Sequence, residues 1–410
     1  MLNEKLASLR ATVERELVEG IMPFWQTRVL DYQGGGFIGY MDSSGNINRR
    51  AAKGLILNAR LLWSYSAMYL YSGDDSFRTL AQRSFDYLAQ YFFDNQFGGA
   101  FWAVDFKGNY LDTKKKAYGQ AFVIYALAEY YKIVQDKEII ELASHFVDML
   151  QTHVFDQEHG GYFETCERNW KLADNLRLSP RDLNEKKSMN THLHVMEAFT
   201  NLYRVWQNKN IESRLADVIR IFLNHIIDPD SFHFHLFFDE AWRPKSDKIS
   251  FGHDIEGSWL LVDAASVLGD SQLLDQTQQI AVKMAAAVLE KAPDKDGGIF
   301  YEGQGNRITD PDKHWWPQAE AVVGFINAYE LSGEATFARA AIKTWSFIEK
   351  HIIDKKNGEW FWRVSRERRP YIEDPKVSEW KSAYHTCRAC FEIINRIDTI
   401  LQPNDQAEEK

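Results

Sequence analysis

The sequence predicts an all-α protein, a double ring of twelve helices with short β-hairpins at one rim. The first observation behind this is a Gly-Gly-aromatic pattern that returns six times. It reads Gly-Gly-Phe-Ile-Gly-Tyr at 35–40, Gly-Gly-Ala-Phe-Trp at 98–102 and Gly-Gly-Tyr-Phe at 160–163. It comes back without the glycines as Phe-His-Phe-His-Leu-Phe-Phe at 232–238. Two more copies follow, Gly-Gly-Ile-Phe-Tyr at 297–301 and Gly-Glu-Trp-Phe-Trp at 358–362. The second observation is the interval of roughly 60–70 residues, too long for one helical hairpin of a solenoid and right for helix, β-hairpin, helix. The third is that six such helix pairs, none able to bury its apolar face alone, would close on one another.

In chain order, helices are expected near 3–19, 51–71, 75–92, 115–134, 137–152, 187–208, 211–227, 253–268, 271–291, 314–331, 335–352 and 377–399. The segment Met1 to Leu17 is charged and amphipathic, unlike a secretion signal. Among the inner helices, 51–71 contributes Asn58 and Arg60, and 115–134 contributes Tyr118 and Gln120. Within 187–208, Leu193, Met196, Phe199 and Tyr203 recur at three- and four-residue spacing, the signature of a packed helical face. Asn190, His194 and Glu197 stand four and then three residues apart, so they share a different, polar face. His253 and Glu256 are one turn apart in 253–268, and 314–331 aligns Trp316 with Glu320. The last helix carries Trp380, His385 and Arg388. Six inner helices thus aim polar and aromatic groups at one central pocket. Residues 1–400 are expected to form a single domain and 401–410 a polar tail.

Composition excludes several classes. The chain has 410 residues, a length that would suit two or three domains, yet no Pro-, Gly- or Ser-rich linker divides it. Hydrophobic residues make up 45%, ample for a large core, and the net charge of −10 argues against a nucleic-acid surface. No apolar run approaches the roughly 18 residues of a membrane span, so the expected compartment is the cytoplasm. Cys166, Cys387 and Cys390 make no disulfide framework, and the C-x-x-C pair lies in a helical pattern without a second pair, as buried thiols would. Neither a phosphate loop nor a dinucleotide fingerprint is present, so no nucleotide cofactor is expected.

The recurrence of His194, His253 and His385 in three separate repeats admits more than one chemistry. Three histidines and a glutamate would serve a metal. Against this, His192 and His194 project about 200° apart on a helix, so their H-x-H spacing does not chelate, and no metal is expected. A glycoside hydrolase would need a carboxylate pair, for which Glu256 and Glu320 are candidates, but that reading leaves the histidines idle. A non-catalytic sugar-binding protein would need the aromatic residues and not the paired histidines. Imidazole suits proton transfer beside a sugar carbonyl, because near neutral pH one ring can take a proton while another gives one. A nearby arginine would hold the developing oxyanion, and tryptophan faces would carry the sugar ring.

Four ordered motifs also carry a resemblance. They are Met-Asn-Thr-His-Leu-His at 189–194, Gly-His-Asp-Ile-Glu-x-Ser-Trp at 252–259, Trp-Trp-x-Gln-Ala-Glu at 315–320 and Trp-Lys-x-x-Tyr-His at 380–385. Together they resemble the motif set of the cellobiose 2-epimerases, within the N-acylglucosamine 2-epimerase superfamily, from about residue 4 to residue 398. The last motif reads Ser-Ala-Tyr-His where many relatives carry Cys-Pro-Tyr-His. The resemblance implies an (α/α)6 barrel and a cofactor-independent isomerase that inverts C2 of the reducing-end sugar of β-1,4-linked disaccharides, the nearest alternative being a relative that acts on free mannose or N-acylglucosamine or that forms a ketose. It implies His253 and His385 as the acid/base pair, His385 also assisting ring opening, with His194 a further essential histidine and Glu256 orienting His253. Arg60, Tyr118 and Asn190 match substrate- and intermediate-contacting positions, Trp316 and Trp380 match sugar-stacking ones, and Glu320 is expected among the substrate-binding residues. The partner expected is a small sugar, the protein itself a monomer or weak homo-oligomer.

Overall fold

A computed structural model describes residues 1–402; most of the expected tail lies outside the described residues. The chain opens with α1 (Leu2–Arg15), which passes through a π-helical turn at Glu16–Ile21 into the short α2 (Met22–Thr27). Then follow α3 (Leu55–Ser72), α4 (Asp75–Tyr91), α5 (Ala117–Val134), α6 (Lys137–His153) and α7 (Met189–Val205). The second half contributes α8 (Lys209–Ile221), α9 (Phe251–Leu268), α10 (Ser271–Lys291), α11 (Trp315–Ser332), α12 (Ala335–Phe347) and α13 (Tyr384–Leu401). Helices α3, α5, α7, α9, α11 and α13 pack side by side, and α13 returns against α3 to close an inner ring. Each of the first five leans on the helix that follows it. The sixth pair joins the two ends of the chain, α13 against α1, so the ring is closed by its termini. The expected double ring is what forms. Among the described residues no helix is long and apolar enough to cross a membrane.

Sequence explains the two unlike rims. At one rim the inner helices α3, α9 and α11 stop at Gly73, Gly269 and Gly333, each left-handed, and α5 stops at left-handed Gln135. The next residue caps the outer helix: Asp74, Asp136 and Asp270 accept from backbone N–H groups of the first turn. Two residues therefore suffice to reverse the chain. At the other rim the strand leading into each inner helix pairs with the stretch after the next outer helix. Lys53–Gly54 pairs antiparallel with Ala103–Val104, Lys115–Lys116 with Thr165–Cys166, and Lys187–Ser188 with Phe237–Phe238. Lys248–Ser250 pairs likewise with Glu302–Gln304, and Lys313–His314 with Arg363–Val364. These short ladders sew neighbouring repeats together.

The six expected hairpins are all present, each closed by one bridge: Leu30 to Phe37, Phe93 to Ala100, Phe155 to Tyr162, Ile227 to Phe234, Pro293 to Ile299 and Ile353 to Trp360. Glycine is required where the turn is both left-handed and crowded. At Gly161 φ is 78°, and a Cβ would lie 2.4 Å from the Trp242 ring and 2.7 Å from His192 Nε2. The fourth hairpin dispenses with glycine by holding Phe232 itself at φ 58°.

A buried lysine–aspartate pair marks five of the six repeats: Lys53–Asp31 at 2.8 Å, Lys115–Asp94 at 3.1 Å, Lys187–Asp156 at 2.7 Å, Lys313–Asp294 at 2.9 Å and Lys376–Asp354 at 2.9 Å. The aspartate caps the hairpin turn, and the lysine stands two residues before the inner helix in four of these repeats and on the loop ahead of α13 in the sixth, so the pair ties the hairpin to the approach to the helix. In the fourth repeat Ile249 takes the lysine's place, and Asp228 instead meets His235 at 3.4 Å. That repeat is where both the glycines and the lysine are lost together.

Helix starts differ from the expected boundaries. The inner helices expected at 51, 115 and 187 begin at Leu55, Ala117 and Met189, because the preceding residues pair as strands. The largest shift is at the last helix, expected from 377 and beginning at Tyr384. Val377 bridges to Met41, and Ser378 Oγ accepts from the backbone N–H groups of Trp380 and Lys381, folding 376–383 as a loop. Trp380 therefore sits on this loop and not on the helix. All three cysteines are buried and unpaired.

Candidate active site

The hairpin rim opens into a cleft of about 440 Å³ at the mouth of the inner ring. Its lining includes His194, His253, His385, Glu256, Arg60, Tyr118, Asn190, Trp316 and Trp380, nine of the ten site residues expected from sequence. Glu320 is the exception: it is fully buried beneath the cleft.

Three imidazoles converge there, each held at Nδ1 by a different group. His385, at the start of α13, meets Glu320 Oε1 of α11 at 2.7 Å. His194 meets Glu197 Oε2 one turn along α7 at 2.9 Å. His253 meets Ser250 Oγ at 2.7 Å. In each case Nε2 is the nitrogen left for a ligand. His253 and His385 both lie against Trp316, with ring centroids at 4.7 and 5.5 Å, so two helices present imidazoles around one indole. A Cβ on Gly252 would lie 2.6 Å from that indole, which is why glycine precedes His253. Burial, followed by the charge of His194, pulls His253 down to about 3. Burial also holds His385 well below the usual imidazole range, reinforced by Arg60 and Arg388. Both rings are thus neutral at neutral pH.

Under the histidines lies one guanidinium shared by three carboxylates. Arg388 Nη1 donates to Glu197 Oε1, and Nη2 donates to Glu256 Oε1 and, at 2.7 Å, to Glu320 Oε1. Tyr384 Oη donates to Glu197 Oε2 at 2.6 Å, and Trp259 Nε1 to Glu320 Oε2 at 3.1 Å. Burial alone would raise Glu197, but Arg388, His194 and Tyr384 outweigh it and bring it to about 2. Glu256 goes the other way, raised to about 7 by burial and then by the neighbouring Glu320 charge. Its Oε2 has no hydrogen-bond partner among the described residues.

This geometry corrects two expectations. Glu256 does not orient His253, because its Oε1 is taken by Arg388 and the His253 Nδ1 partner is Ser250. Glu320 is not a substrate contact, because both its oxygens are occupied by His385, Arg388 and Trp259. The cluster Glu256, Glu320 and His385 has the spacing of a metal site, but Arg388 Nη2 already supplies the cation between the two carboxylates. The same arrangement disfavours a hydrolytic carboxylate pair, since that needs two carboxylates flanking the scissile bond and Glu320 lies below the cleft. His192 faces away: its Nε2 accepts from Tyr162 N at 2.9 Å and its Nδ1 lies 2.7 Å from Ser188 O. Gln120, Asp254 and Gln318 accept from hairpin N–H groups in the same way in other repeats.

Arg60 spans Trp380 O at 3.0 Å and Tyr118 Oη at 2.9 Å, with Phe122 and Tyr384 rings 4.5 and 4.7 Å from its Cζ. It has no carboxylate partner among the described residues, so neutral groups and ring faces support its charge. Sequence reading missed the outer wall, formed by Ser179, Arg181, Asp182, Tyr301, His314, Trp362, Arg363 and Asp374. Much of it comes from the loop between Cys166 and Lys187, anchored where Lys116 Nζ donates to Leu178 O at 2.9 Å and Thr165 Oγ1 to Leu176 O at 2.9 Å. Loops show no periodicity, so nothing in the sequence placed them. His314, stacked on Tyr301 at 3.8 Å, directly precedes the Trp-Trp motif and has no helical phase of its own.

Residues 36–389 match the N-acylglucosamine 2-epimerase (GlcNAc 2-epimerase) family. The cellobiose 2-epimerase of Bacteroides fragilis is 41% identical over 389 residues, 94% of this chain and 98% of that protein. That of Dictyoglomus turgidum is 36% identical, covering 96% of this chain and all of that protein. The solved cellobiose 2-epimerase of Bacillus thermoamylovorans superposes with a TM-score of 0.91 at 36% identity, covering 95% of this chain and 100% of the other. On the closed double ring, the three-histidine cleft and these full-length similarities, the chain belongs to the N-acylglucosamine 2-epimerase family.

Proposed function

We propose that the protein is a cofactor-independent isomerase that inverts C2 of the reducing-end glucose or mannose in β-1,4-linked disaccharides. The observation that carries this reading is the pair of neutral imidazoles, His253 and His385, offered from different helices around Trp316. A base at neutral pH must hold an available lone pair, and burial keeps both rings unprotonated. The sugar ring opens as a proton reaches the ring oxygen and the anomeric hydroxyl loses its own, with His385 assisting. One imidazole then takes the C2 proton, and the electron pair moves onto the carbonyl oxygen as a cis-enediolate. Arg60 holds that oxyanion. The enediolate turns within the cleft, the second histidine takes a proton from solvent at Nε2 and delivers it to the opposite face of C2, and the first releases the proton it removed to solvent. His194 and Asn190 contact the reacting end, Tyr118 sets Arg60, and Trp316 and Trp380 carry the rings. Glu256, about half-protonated near pH 7, presents an unpartnered oxygen that can donate to a sugar hydroxyl.

Incubation with cellobiose, mannobiose or mannose in D2O, followed by NMR at C2, tests the reading. Deuterium at C2 and formation of the epimer are expected with a disaccharide, and both should persist in excess EDTA. Hydrolysis without exchange, binding without exchange, or exchange with free mannose alone would each overturn it.

The role of Arg60 has its own test. Its charge has no anionic partner among the described residues, and the enediolate is the anion that this chemistry makes. Arg60→Ala should lower kcat by about 10²-fold or more, and Arg60→Lys should restore little, because an ammonium lacks the planar fork. Trp316→Ala, by contrast, should act mainly through KM. Unchanged kcat with raised KM in Arg60→Ala would make the arginine a ground-state binder.

A further inference from the structure

Ser250 occupies a position whose ordinary task is helix capping, and it does something else. It is the N-cap residue of α9, yet its side chain accepts no backbone N–H of that helix. Ser188, at the same place before α7, does the ordinary thing and accepts from Thr191 N at 3.1 Å. Ser250 Oγ instead lies 2.7 Å from His253 Nδ1, in a setting that is 5% exposed. Of the other cleft histidines, His385 and His194 are held at Nδ1 by carboxylates, Glu320 and Glu197, while His314 stacks on Tyr301 in the outer wall. Of the three that converge on the cleft, His253 is the one held by a neutral hydroxyl.

We propose that Ser250 is a positioning residue for His253, aiming its Nε2 into the cleft while leaving its proton affinity lower than that of a carboxylate-held imidazole. The consequence for proton transfer is direct. A carboxylate on Nδ1 stabilises the imidazolium and slows release of the proton from Nε2. A hydroxyl accepts the Nδ1–H bond in both states without adding charge, so His253 takes the C2 proton at Nε2 and gives it up readily. His385, backed by Glu320, is the member of the pair that retains a proton longer. Serine is thus diverted from the helix end to make two chemically unlike acid/base groups out of two identical rings. This rests on the C2-epimerase reading.

The test uses Ser250→Ala, Ser250→Thr and Ser250→Asp in the full-length protein. Because Ser250 caps nothing, Ser250→Ala should leave the unfolding midpoint unchanged, while kcat falls roughly tenfold, the scale of one lost hydrogen bond, and KM moves little. Threonine, which keeps the hydroxyl, should restore most of the rate. Aspartate should stabilise the imidazolium and move the acidic limb of the kcat/KM profile to higher pH. Arg60, Tyr118, Arg181, Asp182, His194, Glu256, Tyr301, His314, Arg363, Asp374 and His385 are the other charged or titratable groups lining the same cleft, and all are unchanged in these variants. A readout independent of turnover is the 15N imidazole spectrum, with His253 assigned by its absence in His253→Gln. Ser250→Ala should displace the His253 Nδ1 resonance. An undisplaced resonance, an unaltered kcat, or a loss of rate that merely follows a lowered unfolding midpoint would overturn the role of Ser250. Wild-type protein that exchanges no C2 hydrogen, with the resonance displaced as expected, would instead overturn the epimerase reading and with it the catalytic meaning of the contact.

Discussion

Replacing His385 with asparagine is expected to lower kcat by about 10²–10⁴-fold, the range for a lost general acid or base. The side chain is short enough to avoid a clash and still reaches toward Glu320, so folding should be little changed. His253→Asn should lose rate by a similar factor, because each imidazole serves one face of C2. The two losses should not multiply in the double variant, since a proton that is not removed need not be returned. Glu320→Gln separates position from charge: it keeps a hydrogen-bond acceptor 2.7 Å from Nδ1 but removes the anion. Its kcat should fall less than that of His385→Asn. Steady-state kinetics with a disaccharide, alongside C2 deuterium exchange, read all four. Near-native epimerisation by either single histidine variant would defeat the two-base assignment.

Arg388→Met should be the most destabilising single change at the site. Methionine fills much of the same volume but leaves Glu197, Glu256 and Glu320 facing one another without a cation. Breaking a fully buried pair by removing one partner costs about 3–5 kcal/mol, and here three carboxylates lose one partner together. Some of that loss is relieved by protonation, and Glu256, already raised to about 7, is the group that should take the proton first. The expected results are a clear fall in the urea midpoint and a further rise in the pH at which Glu256 titrates. Glu256→Gln in the Arg388→Met background should recover part of the stability. If Arg388→Met unfolded at the wild-type midpoint, the shared guanidinium would not be holding the floor of the cleft together.

Much of the fold was legible because it repeats. Six hairpin motifs at near-constant spacing, with helical periodicity between them, leave few arrangements other than a closed ring. The fourth motif was recognisable from its aromatics alone, although its glycines are gone. The buried lysine–aspartate pairs were not read, because the two partners stand far apart in sequence and a single Lys or Asp carries no signal. Helix starts were placed too early wherever a two-residue strand precedes the helix. Such strands exist through pairing with another repeat, so local propensity cannot report them.

The sequence by itself determined which side chains point inward. Helical phase is a local property, and it put His194, His253, His385, Arg60, Tyr118, Asn190 and Trp316 on the faces that line the cleft, whereas Asn58 and Gln120, also expected to face it, turn to Gly54 O and to the hairpin at Ala100. Only the tertiary structure decided what stands behind them. Glu320 reaches His385 across 65 residues, and Glu197 reaches Arg388 across 191. Glu256 and Glu320 share a motif set and a charge, yet one borders the cleft and the other is sealed below it. Ser250 and Ser188 are the same residue at the same place in two repeats, and one caps a helix while the other holds an imidazole. Periodicity along one chain fixes the direction of a side chain relative to its own axis. Which group it meets depends on the approach of a second axis, and that is set only when the ring closes.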